Sequence, residues 1–235
     1  MMDDLARIRL VAKHIGITRL CHFTQSRKLA HILTELDGIW STARLKKEYP
    51  DLLDQTDFVR QDGYKTHICC SIEYPNTWYL DKIRHKDPLF KDWVVLFLDP
   101  SLLWREQTLF CPRNAAAERG RLVQAGYESF KRLYEVETVG AYGKSYKRSS
   151  KMLTCCPTDD QAEVLVLEHI TCSDIIGIAV ETVEQARVEG QRLSCLGNVL
   201  QTKWYVAPDL FGKRWSDMVR QGQRPTEDVY QEPII

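Results

Sequence analysis

The chain has 235 residues, of which 44% are hydrophobic and 27% are charged, and its formal net charge is zero. This length and composition predict a globular protein with a sizeable core and exclude a disordered or fibrous chain. The balanced charge argues against a protein that coats nucleic acid nonspecifically, because such binding neutralises many phosphates, but it leaves room for a local basic groove.

The cysteines predict a protein without disulfides. Two of the four pairs that eight cysteines could form would be vicinal, at Cys69-Cys70 and Cys155-Cys156, which is poor spacing for a disulfide framework. No secretory signal and no run of roughly 20 apolar residues is visible. We therefore expect free thiols in a reducing, cytoplasmic setting, and no membrane association. No metal is expected, because the sequence lacks C-x-x-C and vicinal cysteines chelate zinc poorly.

In the first half of the chain, the pattern predicts a helix that begins after Ser26 and ends at Gly38. Its apolar positions recur at helical spacing: Leu29, Ile32, Leu33 and Leu36. The polar stretch 46–65 predicts a loop with one short helix. Apolar and β-branched residues predict strands at 66–72 and 93–98.

In the second half, the pattern predicts a helix over 115–135, a loop over 140–151 and a strand at 162–167. Strands at 175–180 and 204–206 flank a helix at 183–193, and the segment 221–235 is expected to be a loose tail. Strands and helices do not alternate as in a doubly wound sheet, and no glycine-rich phosphate loop is present. We expect a single domain over 1–235.

A carboxylate stands at the entrance of the strand predicted at 162–167. Glu163 follows Gln161 where a polar segment enters apolar sequence, so its side chain would be rigidly aimed and partly desolvated. Such a group can stabilise positive charge or accept a proton, although on position alone a solvent-facing acid is the simpler interpretation. His22 and Thr24, two residues apart in an extended segment, point to one side and could grip a ligand.

These elements together resemble the DarT family, bacterial toxins that ADP-ribosylate DNA bases. The resemblance runs from His22 to Pro208 and is carried by Cys21-His22-Phe23-Thr24, Gly38-Ile39-Trp40-Ser41 and Asp160-Gln161-Ala162-Glu163-Val164-Leu165-Val166. It implies an α+β, ADP-ribosyltransferase-like fold: two packed, mostly antiparallel sheets with a central NAD⁺ cleft and flanking helices. It also implies ADP-ribose transfer from NAD⁺ to single-stranded DNA by a monomer, without a metal, and an antitoxin that removes the ADP-ribose.

Carried over residue by residue, the resemblance implies that Glu163 is the catalytic carboxylate and Arg44 the active-site arginine. His22 and Thr24 would hold the nicotinamide riboside half of NAD⁺, and Ser71 and Gln161 would line the same pocket. The loop before Glu163 would contact the DNA through rings and cations, a mixture that suits stacked bases and phosphates. These residues are Tyr142, Lys144, Tyr146, Lys147 and Arg148. A solvated charged loop is the alternative interpretation.

Several alternatives stay open. The central-strand sequence Cys-Ser-Ile-Glu-Tyr around Ser71 differs from that of thymine-modifying members, which favours guanine, with thymine close behind. An RNA-directed ADP-ribosyltransferase or 2′-phosphotransferase, and an inactive nucleic-acid-binding module, are the rival functions. Arg113 and Asn114 could touch a phosphate or base, but a turn capped by Asn114 is favoured. Tyr74, Trp78 and Tyr79 fit a wall of the site as well as the core.

Overall fold

The computed structural model describes residues 3–52, 60–84, 90–140, 145–197 and 202–231. Its helices are α1 (Asp4–His14), α2 (Leu29–Leu33), α3 (Thr42–Glu48), α4 (Thr77–Arg84), α5 (Tyr127–Arg132), α6 (Val183–Cys195) and α7 (Arg214–Arg220). Its strands are β1 (Leu20–Gln25), β2 (Gly38–Trp40), β3 (His67–Ile72), β4 (Trp93–Leu98), β5 (Leu109–Cys111), β6 (Gln124–Ala125), β7 (Glu137–Val139), β8 (Ser145–Lys147), β9 (Glu163–Leu167), β10 (His169–Thr171), β11 (Ile175–Val180), β12 (Lys203–Val206) and β13 (Asp228–Val229). Within these ranges no helix has the length and apolar character needed to cross a bilayer.

The main sheet consists of two halves that share one short ladder. Its strand order is β13-β12-β11-β4-β1-β3-β9-β5-β6, and all its neighbours are antiparallel except β11 and β12. β1 pairs with β4 along its whole length, from Leu20 to Gln25, but with β3 only at Leu20 and Cys21. Past this ladder the halves separate. The predicted mostly antiparallel α+β architecture is confirmed, with the two expected sheets joined at one end.

The joined end is fixed by charged groups around Glu73, which follows β3 and is fully buried. Its carboxylate accepts hydrogen bonds from the backbone N–H groups of Thr18 and Arg19 and, at 3.1 Å, from the Thr18 hydroxyl. The Arg19 Nε donates to the Glu73 carbonyl at 2.8 Å, and the Arg19 guanidinium pairs with Glu227. Because Thr18 and Arg19 immediately precede β1, these bonds hold the start of β1 against the end of β3. We call this group the Arg19–Glu73 clamp.

The strongly apolar strands lie where the sequence predicts them. The bounds predicted for β4 and β11 match, and β3, β9 and β12 differ by one residue at one end. β4 is buried at every position because it lies inside the sheet and is covered on both faces.

The helices predicted over 27–37 and 115–135 are shorter in the structure. The first becomes a 3-10 turn at Ser26–Lys28 followed by α2, and Gly38 starts β2. Gly38 has a φ of 128°, and a Cβ there would lie 2.0 Å from the Ile170 carbonyl oxygen, so glycine is required for β2 to pair with β10. The segment 115–135 is divided into a 3-10 turn, β6 and α5; Gly120, at a φ of 80°, ends the first piece.

Two segments expected to be irregular are ordered. The described part of the predicted loop 140–151 contains β8, which pairs with β7 as a hairpin. The segment after Gln221, expected to be loose, contributes β13, which pairs with β12. Arg224, 3.4 Å from the Glu73 carboxylate, and Glu227 tie this segment to the Arg19–Glu73 clamp. For the C-terminal segment, these ion pairs with buried groups account for the difference, and sequence periodicity does not reveal them.

The clamp predicts a large effect of Glu73→Ala on stability. Removing the carboxylate leaves the N–H groups of Thr18 and Arg19 without their acceptor and weakens the charge compensation of the buried Arg19, a loss of about 3–5 kcal/mol. The measurement is the free energy of unfolding by urea, monitored by far-UV circular dichroism. Glu35→Ala is the matched control, because its pair with His31 at 3.0 Å is solvent-exposed and contributes under about 1 kcal/mol. Equal losses in the two variants would contradict the structural role of the clamp.

Candidate functional site

A cavity of about 940 Å³ opens where β1 and β3 diverge, and we call it the cleft. Its volume lies at the upper end of the range for small-molecule and cofactor sites. Residues far apart in the sequence meet in its wall. Those predicted from the sequence are His22, Thr24, Ser71, Tyr146, Gln161 and Glu163.

Glu163 lies at the first position of β9, half-buried in the cleft wall, and the next three residues are fully buried. One carboxylate oxygen accepts a hydrogen bond from the Ala115 N–H at 3.2 Å. Burial raises the pKa of Glu163 to about 7; the Ala115 hydrogen bond and Arg60 oppose the shift, and Asp62 adds to it. A carboxyl group with this pKa can take up and release a proton near neutral pH.

The turn before Glu163 has one side toward the cleft and one toward α7. Asp159, Gln161 and Glu163 line the cleft. Asp160, between them, accepts hydrogen bonds from the Ser216 hydroxyl and, at 2.8 Å, from Arg220. The Gln161 N–H donates to Asp159 at 2.9 Å. Helix α7 therefore fixes the turn that presents Gln161 and Glu163.

Among the described residues, one hydrogen bond holds the His22 ring. Its Nδ1 lies 2.9 Å from the Cys69 carbonyl oxygen, which can only accept, so Nδ1 carries the proton and Nε2 is left as an acceptor. Burial lowers the pKa of His22 and keeps the ring neutral. The Ser71 hydroxyl, on β3, donates to the Cys21 carbonyl at 3.5 Å. With Thr24, these groups give this wall neutral acceptors and donors suited to hydroxyl and amide groups.

Arg44 does not line the cleft. Ser41 caps α3 by accepting the Arg44 N–H at 3.3 Å, and the Arg44 guanidinium packs 3.7 Å from the Trp40 ring centre and 3.5 Å from Glu48. The helix cap and the stacking on Trp40 therefore hold the Arg44 side chain in contacts that support α3.

Arg60, which sequence reasoning missed, lines the cleft instead. Asp62 binds it at 3.2 Å through Nε and 2.8 Å through Nη2, and the His67 carbonyl accepts from Nη1 at 3.1 Å. These bonds hold the Arg60 guanidinium rigidly. Its charge is close enough to lower the pKa of Glu163, although burial raises that pKa by more. The sequence signal for this site was the spacing of Arg60 and Asp62. That spacing is common in polar loops and does not by itself predict a functional arginine.

The structure does not place all the residues predicted to contact nucleic acid in the cleft wall. Tyr146, on β8, lines the cleft, and Lys147 is exposed on the same strand. Arg148 donates to the carbonyl oxygens of Leu153, Thr154 and Cys156, so its charge organises the chain before Glu163. Tyr142 and Lys144 lie outside the described residues.

The remaining candidates divide between core and cleft. Tyr74 is buried and stacks on Trp215 with ring centres 5.3 Å apart, whereas Trp78 and Tyr79 line the cleft. Asn114 caps a 3-10 turn by accepting the Ala116 N–H at 2.9 Å, as predicted. All eight cysteines are free thiols. The described ranges contain no group of three metal-ligating side chains.

The raised pKa of Glu163 predicts that Glu163→Gln stabilises the protein above neutral pH. A carboxyl group whose pKa is higher in the folded state destabilises the fold when ionised; this penalty is absent below pH 4.5, grows towards pH 7 and is complete above it. We expect a gain on the order of 1–3 kcal/mol at pH 8 and none at pH 4. Thermal unfolding at both pH values measures it, with the exposed Glu137→Gln as control. A pH-independent difference would contradict the assigned pKa.

The chain matches a family model described as "ssDNA thymidine ADP-ribosyltransferase, DarT" over residues 21–212. No curated protein matches it. Among solved structures, Thermus sp. 2.9 DarT in complex with carba-NAD⁺ superposes with a TM-score of 0.59 at 14% identity, over 83% of this chain and 98% of that one. The same protein in complex with ADP-ribosylated ssDNA gives 0.53 at 10% identity, over 83% and 96%.

A further match is Thermosipho africanus DarTG in complex with ADP-ribose, with a TM-score of 0.58 at 15% identity. It covers 83% of this chain and 51% of that one, so the present chain spans about half the length of DarTG. At these identities the superpositions show a shared fold. The family match covers most of the sequence, and the chain therefore belongs to the DarT family of ssDNA thymidine ADP-ribosyltransferases.

Proposed function

We propose that this protein transfers ADP-ribose from NAD⁺ to a thymine base in single-stranded DNA. The observation that carries the proposal is the convergence of Glu163, His22 and Arg60 in one cleft large enough for a dinucleotide. The family description supports both the donor chemistry and the base, and the Thermus relative is solved with NAD⁺ and with ADP-ribosylated ssDNA.

In the proposed reaction, the bond between nicotinamide and ribose C1′ breaks and nicotinamide leaves with the electron pair. The ribosyl group acquires oxocarbenium character, which the Glu163 carboxylate stabilises. A nitrogen of the base then bonds to C1′ and loses its proton, which Glu163 accepts. A pKa of about 7 suits this last step, because the group is ionised in a large fraction of molecules and still basic enough to take the proton.

His22 and Thr24 bind the nicotinamide riboside half in this proposal. The neutral His22 ring offers Nε2 as an acceptor for a ribose hydroxyl or the carboxamide N–H, since Nδ1 is occupied by the Cys69 carbonyl. Ser71 and Gln161 complete this part of the wall. Arg60 takes the place that the resemblance gave to Arg44, because Asp62 fixes its guanidinium in the cleft, where its charge acts on Glu163.

The acceptor is proposed to be single-stranded because its base reaches the cleft without the cost of unpairing. Tyr146 and Lys147 on the β7–β8 hairpin supply a ring and a cation for such a strand. We further propose that the chain acts as a monomer in a reducing cytoplasm, in keeping with its free thiols. An antitoxin that removes ADP-ribose belongs to the same proposal.

The proposal is tested by mass spectrometry of single-stranded oligonucleotides that contain one thymine, one guanine or neither, after incubation with NAD⁺. We expect one added ADP-ribose on the thymine oligonucleotide, and a loss of rate of about 10²–10⁴ in Glu163→Gln. Glu184→Gln, at an exposed position of α6 that pairs with Arg187, is the control. Modification of guanine alone would replace the proposed base, modification of matched RNA alone would replace the substrate class, and full activity of Glu163→Gln would contradict the assigned carboxylate.

Arg60 and Arg44 form a natural pair of variants. Arg60→Met removes the cation fixed beside Glu163 and should lower the transfer rate by about 10²–10³. Arg44→Met keeps the stem that packs on Trp40 and should remain within a factor of about 2 of the unmodified protein. Steady-state rates at saturating NAD⁺ and oligonucleotide, with thermal unfolding of both variants, provide the measurement. The reverse order of effects would restore Arg44 as the active-site arginine.

A further inference from the structure

Arg113 is a buried cation whose hydrogen bonding is incomplete. Only 7% of its surface is exposed, and it lines the cleft. One terminal N–H group donates to the Val139 carbonyl at 3.2 Å, whereas Nε has no partner within the described part of the chain. A buried guanidinium N–H without an acceptor is costly, since such groups are normally paired. The nearby carboxylate of Asp159 interacts electrostatically with Arg113, but its hydrogen bond is accepted from the Gln161 N–H at 2.9 Å.

The sheet order places Arg113 on the far side of Glu163 from the proposed NAD⁺ wall. The sequence of strands is β1, β3, β9, β5, with His22 on β1, Ser71 on β3 and Glu163 on β9. Cys111, the last residue of β5, pairs with Glu163, and Arg113 follows two residues later. Adjacent paired strands lie about 4.8 Å apart, so Arg113 begins about one strand spacing beyond Glu163, on the side away from β3 and β1.

Arg113 also adjoins the hairpin proposed to contact DNA. The Val139 carbonyl that it binds is at the end of β7, directly opposite Ser145 on β8, and Tyr146 of β8 shares the cleft wall with Arg113. A ligand that reaches Arg113 therefore approaches from the acceptor side of Glu163, along the hairpin. An anion would supply the missing hydrogen-bond acceptor and balance the charge of this desolvated guanidinium. A phosphodiester is such an anion, because its oxygens accept charge-assisted hydrogen bonds from arginine.

We propose that Arg113 binds a backbone phosphate of the target strand next to the modified nucleotide and thereby positions the base against Glu163. This inference rests on the proposed function and adds to it a positioning residue on the acceptor side. A single fixed phosphate contact sets how far the strand enters the cleft, because the distance from a phosphate to its own base is constrained by the nucleotide.

The experiment replaces each phosphate near the target base, one at a time, with an uncharged methylphosphonate. In the unmodified protein, we expect one position at which this substitution lowers kcat/KM by about 10-fold or more, with the other positions near 2-fold. In Arg113→Met, the all-phosphate oligonucleotide should show a similar loss, and the methylphosphonate at the sensitive position should cause no further loss. The slope of log affinity against log salt should fall by about 0.7, the value for one phosphate of a single strand.

Two controls keep the result specific. Arg121→Met changes an exposed arginine of the same segment, which pairs with Glu118 at 2.6 Å, and should leave the methylphosphonate profile intact. Arg113→Lys keeps the charge and should recover part of the loss, which also separates the contact from a folding defect. Thermal unfolding of each variant accompanies the kinetics.

The outcomes separate this inference from the function on which it rests. A methylphosphonate profile that is flat, or that is equally uneven in Arg113→Met, would overturn the phosphate contact while leaving base modification intact. A loss confined to the KM for NAD⁺ would also overturn it and place Arg113 on the donor side. If the unmodified protein transferred no ADP-ribose to any oligonucleotide, the proposed function itself would fail.

Discussion

The position of the cleft depends on the Arg19–Glu73 clamp. Because Glu73 binds the backbone that leads into β1, the two sheet halves are held together at Leu20 and Cys21. From the next residue, His22, the β1–β3 pairing has ended, and the side chain of His22 reaches the Cys69 carbonyl across the gap. A sheet that paired along the full length of β1 and β3 would close the space in which His22, Ser71 and Glu163 meet. The cleft thus exists because the pairing of β1 with β3 stops after Leu20 and Cys21. A buried ion-pair network fixes the position at which this pairing stops.

The same network connects the C-terminal segment to the site. The family match ends at residue 212, yet α7 and the segment that follows it hold both sides of the functional region. Ser216 and Arg220 fix Asp160 beside the turn that presents Glu163, while Arg224 and Glu227 complete the charges around Glu73 and Arg19. A buried carboxylate is expensive to leave unpaired, so these cationic and hydroxyl groups are needed wherever the fold buries Asp160 and Glu73.

Much of this arrangement was predictable because it follows from short-range pattern. β4 and β11 are apolar runs buried on both faces, and their bounds could be taken directly from sequence. Glu163, His22 and Thr24 were identified by family resemblance and do lie in one cleft. Arg60 was not predicted to line the cleft, because its position depends on tertiary contacts. Asp62 binds the Arg60 guanidinium in the cleft wall, whereas the Arg44 guanidinium is engaged by Trp40 and Glu48. The ordered C-terminal segment was missed for a similar reason, since its anchors Arg19 and Glu73 lie 208 and 151 residues before their partners in the chain.

The electrostatics of the cleft also explain why the site needs so much support. Burial disfavours the charged form of Glu163, and Asp62 adds a like charge, so the ionised carboxylate required for the proposed chemistry is less stable in the folded protein than it would be in water. Arg60 and the Ala115 N–H offset part of this penalty but do not remove it, and the carboxyl group keeps the basicity that proton transfer requires. A stronger counter-ion would stabilise the anion, lower its pKa and weaken it as a base. The balance between burial and partial compensation is therefore what equips Glu163 for its proposed role, and rigid contacts from α7 and Asp62 allow the fold to maintain it.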